Sequence, residues 1–175
     1  PSLSVGLVTN HIPLKDVTKT INRELIWNKL ELFCNFLQSR YSNPRVAICS
    51  LNPHCGDGGL FGSEDDELIA PTIADFLRNK QGGTCEVFGP FPADTLFWQG
   101  RKGRYHGILA MYHDQGLAPI KAIAFDKTVN ITAGLNFLRL SPAHGPASDL
   151  FKKGVADNSS FEEALKITID YAKNK

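Results

Sequence analysis

Three histidines carry the first chemical signal. His11, His54 and His113 each follow a short apolar run and sit in a polar or glycine-rich stretch. Neutral imidazole is a good ligand for a borderline divalent metal, and three of them leave coordination positions open for substrate. Asp114 follows His113 in Met111-Tyr112-His113-Asp114-Gln115-Gly116. That acid can orient an imidazole from behind or cap a helix start. Asp94, in Pro92-Ala93-Asp94-Thr95, carries the same two readings. A second group is cationic. Lys121, Asn130 and Arg139 punctuate largely apolar sequence, where an unpaired charge is expensive. A lysine, an amide and an arginine together suit a phosphate or carboxylate; the alternative for Arg139 is an ion pair with a nearby acid. His144 with Gly145 suits contact with a flat ligand, or a helix cap. His106, among Arg101, Lys102 and Arg104, reads as solvent-exposed.

Several other chemistries lack their residues. Gly56-Asp57-Gly58-Gly59 lets backbone approach a ligand closely, but it is neither a dinucleotide fingerprint nor a Walker loop. No serine nucleophile elbow occurs. Cys55 stands beside His54 without a separate histidine and orienting group, so thiol catalysis is disfavoured.

These residues need elements to hold them. Short apolar runs predict strands at Ser2 to His11, Arg45 to Leu51, Cys85 to Phe88, Gly107 to Met111 and Val129 to Thr132. Apolar spacing of three and four predicts helices over Thr18 to Leu37, Glu64 to Arg78 (with Pro71 as a kink) and Phe161 to Lys173. Asp94 to Gln99 reads as a short helix ended by Gly100, Gly82-Gly83 as a turn, and Pro119 to Phe125 as starting helical. Alternation of strands and helices implies an α/β fold, a layered sheet with helices on both faces. In such sheets ligands gather at the carboxyl ends of strands, where all three histidines fall.

Composition narrows the class. With 175 residues, 42% hydrophobic and 21% charged, the chain has ordinary globular composition. A net charge of +1 gives no bulk case for nucleic acid or an anionic membrane. No apolar run reaches the roughly 20 residues of a membrane span, and no signal peptide is read at the start. Cys34, Cys49, Cys55 and Cys85 form no CxxC pair. Cys34 and Cys49 read as buried reduced thiols, which favours a cytoplasmic location.

The chain resembles the 4-hydroxythreonine-4-phosphate dehydrogenase family of vitamin B6 biosynthesis. The resemblance rests on Thr9-Asn10-His11-Ile12-Pro13-Leu14, Leu51-Asn52-Pro53-His54, Gly89-Pro90-Phe91-Pro92-Ala93-Asp94-Thr95, Met111 to Gly116, and Val129-Asn130-Ile131-Thr132. It implies that His11, His54 and His113 bind a divalent metal, zinc foremost, with cobalt, manganese or magnesium as alternatives. It also implies that Lys121, Asn130 and Arg139 contact a phosphorylated amino-acid substrate. In this family two subunits build each site, the third histidine coming from the partner, so a homodimer is expected. Pro142 to Asp149 resembles the adenine-side loop of isocitrate and isopropylmalate dehydrogenases. That places His144 and Gly145 near adenine and Asp149 on the ribose hydroxyls of NAD.

The resemblance implies the two-lobed isocitrate/isopropylmalate dehydrogenase-like fold with the first lobe incomplete. Residues 1–104 are then a middle, dimerising domain, and residues 105–175 the return part of the cofactor and substrate domain. The family's N-terminal half is absent from this sequence, so a catalytically silent metal-binding or dimerisation fragment is one alternative. A related dehydrogenase acting on another phosphorylated four-carbon acid or an aromatic diol acid is the other. Asp94 and Asp114 remain the candidates for the general base. The chain departs from the family at Cys55, Asp57, Ala143 and Pro146.

Overall fold

A computed structural model describes residues 3–79, 84–146, 148–151 and 153–173; the expected turn at Gly82-Gly83 lies outside them. The chain divides into two compact units, 1–119 and 120–175. The division falls further along the chain than the 104/105 boundary read from the sequence.

The first unit holds a four-stranded sheet made of β1 (Ser4–Leu7), β2 (Arg45–Cys49), β3 (Glu86–Phe91) and β4 (Gly107–Ala110). The order is β1-β4-β2-β3, and every pairing is parallel. Parallel strands are buried on both faces, which is why they read as nearly unbroken apolar runs. Val46, Ile48, Leu109 and Met111 face one core, where they meet Ile26, Leu30, Phe33 and Leu37 of helix α2 (Arg23–Gln38) and Ile73 and Phe76 of α3 (Ala70–Asn79). Ala47, Cys49, Ile108 and Ala110 face the other, against Leu96 and Phe97 of α4 (Ala93–Arg101). Ile26, Leu30 and Leu37 are 0% exposed, and burying each such side chain is worth about 1.5–3 kcal/mol. The expected helices on both faces are therefore present. Burial also pushes the Cys49 thiol up to about 12, so it stays protonated.

Several elements differ from the sequence reading. The helix expected from Thr18 to Leu37 is two, α1 (Leu14–Thr20) and α2. Asn22 separates them because its side chain accepts the Leu25 N–H at 2.9 Å, a local alternative to helix continuation. The Glu64 to Arg78 helix opens as a π-helical turn, Asp65–Ile69, before α3. Pro71, which has no N–H to donate, follows that π-helical turn, inside one continuous helical run from Glu64 to Asn79. Gly100 lies inside α4 and does not end it.

His106 is also not the free surface group expected. It is half-buried, its ring centroid 4.4 Å from that of Tyr41, and its Nδ1 accepts the Arg45 N–H at 2.9 Å. Burial, then the Arg45 charge, hold its pKa below the usual histidine value. The neutral form is thus favoured by folding. Its stabilisation is present above the unfolded-state pKa and is lost as pH falls through the lower folded value. The melting temperature is expected to fall less between about pH 7.5 and about pH 5 in His106→Gln than in the parent. Equal slopes would remove His106 from the pH response.

The second unit contains an antiparallel hairpin, β5 (Val129–Thr132) and β6 (Arg139–Pro142), and helix α6 (Ser159–Lys173). Ser160 ties the helix start to the hairpin ends, donating to the Thr128 carbonyl at 2.8 Å and accepting from the Ala143 N–H at 3.4 Å.

Candidate metal and substrate site

The segment that follows each of the four parallel strands carries a candidate residue at or near its start. His11 follows β1, His54 follows β2, Asp94 follows β3 and His113 follows β4. Because β1 and β4 are neighbours, His11 and His113 come together, their ring centroids 5.3 Å apart. His113 is the first residue of α5 (His113–Ala124), not a loop residue as expected. Asp114 is the second residue of α5. Its Oδ1 lies 2.6 Å from His113 Nδ1, which leaves Nε2 as the ring's donor to a metal. The pair of imidazoles, one backed by a carboxylate, fits a borderline divalent ion.

Among the described residues no group of three metal-ligating side chains converges. His54 lies in the turn Pro53–Gly56 with φ 53°, and Cys55 follows at φ 57°. Left-handed backbone at two successive non-glycine residues costs roughly 1–2 kcal/mol each and persists only when neighbours impose it. His54 opens on a cleft of about 500 Å³ whose lining includes Asp94, Tyr112, Asp114 and Gln115. Asp94 is not the cap of α4; Pro92 is, and the Asp94 carboxylate accepts its neighbour Thr95 N–H at 2.9 Å. Both candidate bases and one candidate ligand therefore share one concavity. Cys55 is not an activated thiol. Burial, outweighing a hydrogen bond from Ser50, raises its pKa.

Two residues that shape this edge were not singled out by the sequence reading. Gln115 accepts the Met111 N–H at 2.7 Å and donates to the Ser50 carbonyl at 2.7 Å, joining the ends of β4 and β2. Asp65 is 0% exposed and accepts the Leu51 and Asn52 N–H groups at 2.7 and 2.9 Å. The available signal was its place on an apolar stripe with Ile69, Ile73 and Phe76, where an acid needs a partner.

In the second unit, β5 and β6 pair Thr132 with Arg139 and Asn130 with Ser141. Asn130 and Arg139 therefore lie on one face of the hairpin. Arg139 donates to Thr132 Oγ1 at 2.8 Å. Lys121 Nζ stands 5.7 Å from the Phe125 ring centroid. His144 Nδ1 lies 2.9 Å from the Gly145 carbonyl, and both residues are exposed. Asp149 falls in the turn Ser148–Leu150; its side chain lies outside the described residues.

Comparison with known proteins places the chain in a family and matches its fold. The family described as "Pyridoxal phosphate biosynthetic protein PdxA" matches residues 1–168. A 4-hydroxythreonine-4-phosphate dehydrogenase of Bacteroides thetaiotaomicron is 46% identical over 173 residues, covering 98% of this chain and 46% of the relative. One from Wigglesworthia glossinidia brevipalpis is 41% identical, covering 99% and 52%. The chain thus spans about half the length of the curated relatives it matches. The solved 4-hydroxythreonine-4-phosphate dehydrogenase of Klebsiella pneumoniae superposes with a TM-score of 0.79 at 38% identity, over 91% of this chain and 47% of that one. A terephthalate 1,2-cis-dihydrodiol dehydrogenase from Burkholderia xenovorans gives 0.72 at 26% identity, over 93% and 51%. Among the described residues no helix is long and apolar enough to cross a membrane.

Proposed function

The chain belongs to the PdxA family, and from that premise we propose that it corresponds to the family's C-terminal half and serves an NAD-dependent, metal-assisted dehydrogenase of pyridoxal phosphate biosynthesis. The substrate is 4-phosphohydroxy-L-threonine, oxidised to 2-amino-3-oxo-4-phosphohydroxybutyrate, which loses CO2 to give 3-amino-2-oxopropyl phosphate. The observation that carries this reading is the His11–His113 pair on adjacent strand ends, with Asp114 behind His113.

His11 and His113 supply two imidazole donors from one chain. His54 of a second subunit supplies the third, which makes the active unit a homodimer. These imidazoles would hold a divalent ion, zinc foremost, which when bound would supply Lewis-acid polarisation of the substrate's oxygen. Asp114 holds the His113 ring in the tautomer that presents Nε2. That engagement favours Asp94, exposed on the cleft wall, as the base that would take the substrate hydroxyl proton, with NAD, when bound, as the hydride acceptor. In the second unit, Lys121, Asn130 and Arg139 are assigned to the substrate phosphate, and His144, Gly145 and Asp149 to the adenosine end of NAD. The proposal includes the two-lobed isocitrate dehydrogenase-like architecture, with residues 1–104 as the dimerising domain and 105–175 as the return part of the other lobe, and a cytoplasmic location.

The likeness to a cis-dihydrodiol dehydrogenase keeps an aromatic diol acid as a second substrate reading. NADH formation by this chain, assayed with 4-phosphohydroxythreonine and with an aromatic cis-diol acid, with and without zinc, separates the two. Zinc-dependent reduction with the phosphorylated acid alone is expected of an active chain; reduction with the diol alone would replace the substrate. No reduction, with zinc still lost on His54→Ala, would leave a metal-binding chain that needs the other half of the relatives' length to turn over.

A further inference from the structure

The turn that carries His54 is held by something outside itself. His54, Cys55 and Asp57 have φ of 53°, 57° and 46°, so the segment leaves the ordinary backbone wells at three side-chain-bearing residues. Such a conformation relaxes unless surrounding contacts determine it. Just before the turn, Leu51 and Asn52 donate their N–H groups to the two oxygens of one carboxylate, Asp65 Oδ1 and Oδ2, at 2.7 and 2.9 Å. That carboxylate is 0% exposed. Asn52 is held a second time, its side-chain Nδ2 donating to Glu64 Oε2 at 2.8 Å. Beyond the turn, Phe61 N–H returns to the Gly56 carbonyl at 3.0 Å. A carboxylate in an apolar core is kept only when hydrogen bonds to its charged form repay its desolvation. Here both oxygens are engaged by successive amides, one of them belonging to the residue before Pro53.

We propose that Asp65 is a positioning residue for the metal site: by holding the Leu51 and Asn52 amides it fixes the left-handed turn that presents His54 to a divalent ion. This rests on the reading of His54 as a ligand. Asp65 touches neither metal nor substrate. Its effect passes through the orientation of the imidazole, as outer-shell partners act on the ligands they hold.

Zinc affinity, measured by competition with a chromophoric chelator, tests this on the parent chain, Asp65→Asn, His54→Ala and the double variant. Amide hydrogen exchange at Leu51 and Asn52 in the metal-free chains is the second readout. Asp65→Asn keeps the volume but turns an NH2 toward one of two N–H donors. It is expected to weaken zinc binding about 10–100-fold and to speed exchange at both amides. In the His54→Ala background the same change is expected to leave zinc affinity unaltered while exchange remains fast, because non-additivity is the mark of action through one ligand. Equal weakening in both backgrounds would show a general structural role and overturn the proposal. His54→Ala weak but Asp65→Asn normal would overturn it while leaving the metal reading intact. Zinc affinity unchanged by His54→Ala would remove the ligand and the proposal together. Should Asp65→Asn not fold, Asp65→Glu takes its place: amide protection and zinc affinity kept or lost together support the proposal, and either one lost alone overturns it.

Discussion

His113→Ala is expected to cost this chain its zinc, with affinity falling by more than the roughly 10–100-fold that loss of an outer-shell partner produces. His113 is one of two imidazoles whose centroids stand 5.3 Å apart on adjacent strand ends. Removing it deletes a donor outright, whereas Asp114→Asn only releases the ring that the carboxylate holds at 2.6 Å. The expected order is therefore His113→Ala and His11→Ala alike, then Asp114→Asn, then no effect for His144→Ala, whose ring is engaged with its own neighbour's carbonyl. Equilibrium dialysis with metal analysis reads the order directly. If Asp114→Asn leaves zinc unchanged but abolishes turnover in a reconstituted enzyme, Asp114 is the base and Asp94 is not. If His113→Ala keeps zinc, the paired-imidazole site is wrong, whatever the family.

The parts of this arrangement legible in the sequence are those governed by local pattern. Both-face burial of Arg45–Cys49 and Gly107–Ala110 shows as unbroken apolar runs, and the three histidines show as polar interruptions after such runs. The strand order does not show, because it is set by which hydrophobic faces α2, α3 and α4 cover. Without the order, the pairing of His11 with His113 across β1 and β4 could not be read. β6 was not anticipated, since Arg139-Leu140-Ser141-Pro142 is short and polar and becomes a strand only by pairing with β5. His106 was misjudged for the same reason. Its basic neighbours in sequence imply solvent, but its partners, Tyr41 and Arg45, are distant in sequence. Asp65 lay hidden within Glu64-Asp65-Asp66-Glu67, a charge run that reads as a solvated helix start and masks the apolar stripe it shares with Ile69, Ile73 and Phe76.

Gly56→Ala carries the largest expected cost to folding. Gly56 has φ +81°, and a Cβ added there would press into the carbonyl oxygen of Gly62, which is backbone and cannot swing away. Overpacking of this kind costs about 1–3 kcal/mol, and an L-residue in left-handed backbone adds about 1–2 kcal/mol. The sum, about 2–5 kcal/mol, corresponds to a melting-temperature loss of about 4–20 °C for a chain of this size. Gly58 separates the two contributions. It also has positive φ, at +63°, but a Cβ there meets nothing within 4 Å, so Gly58→Ala is expected to show the backbone cost alone. The difference between the two variants, read by thermal unfolding, is the cost of the contact. It should be paired with a loss of zinc affinity in Gly56→Ala only, because pushing Gly56 from Gly62 moves the turn that begins at His54, while Gly58 lies on its open side. Equal melting temperatures for the two alanine variants would mean that the turn yields freely, and a turn that yields freely could not hold His54 at its left-handed φ.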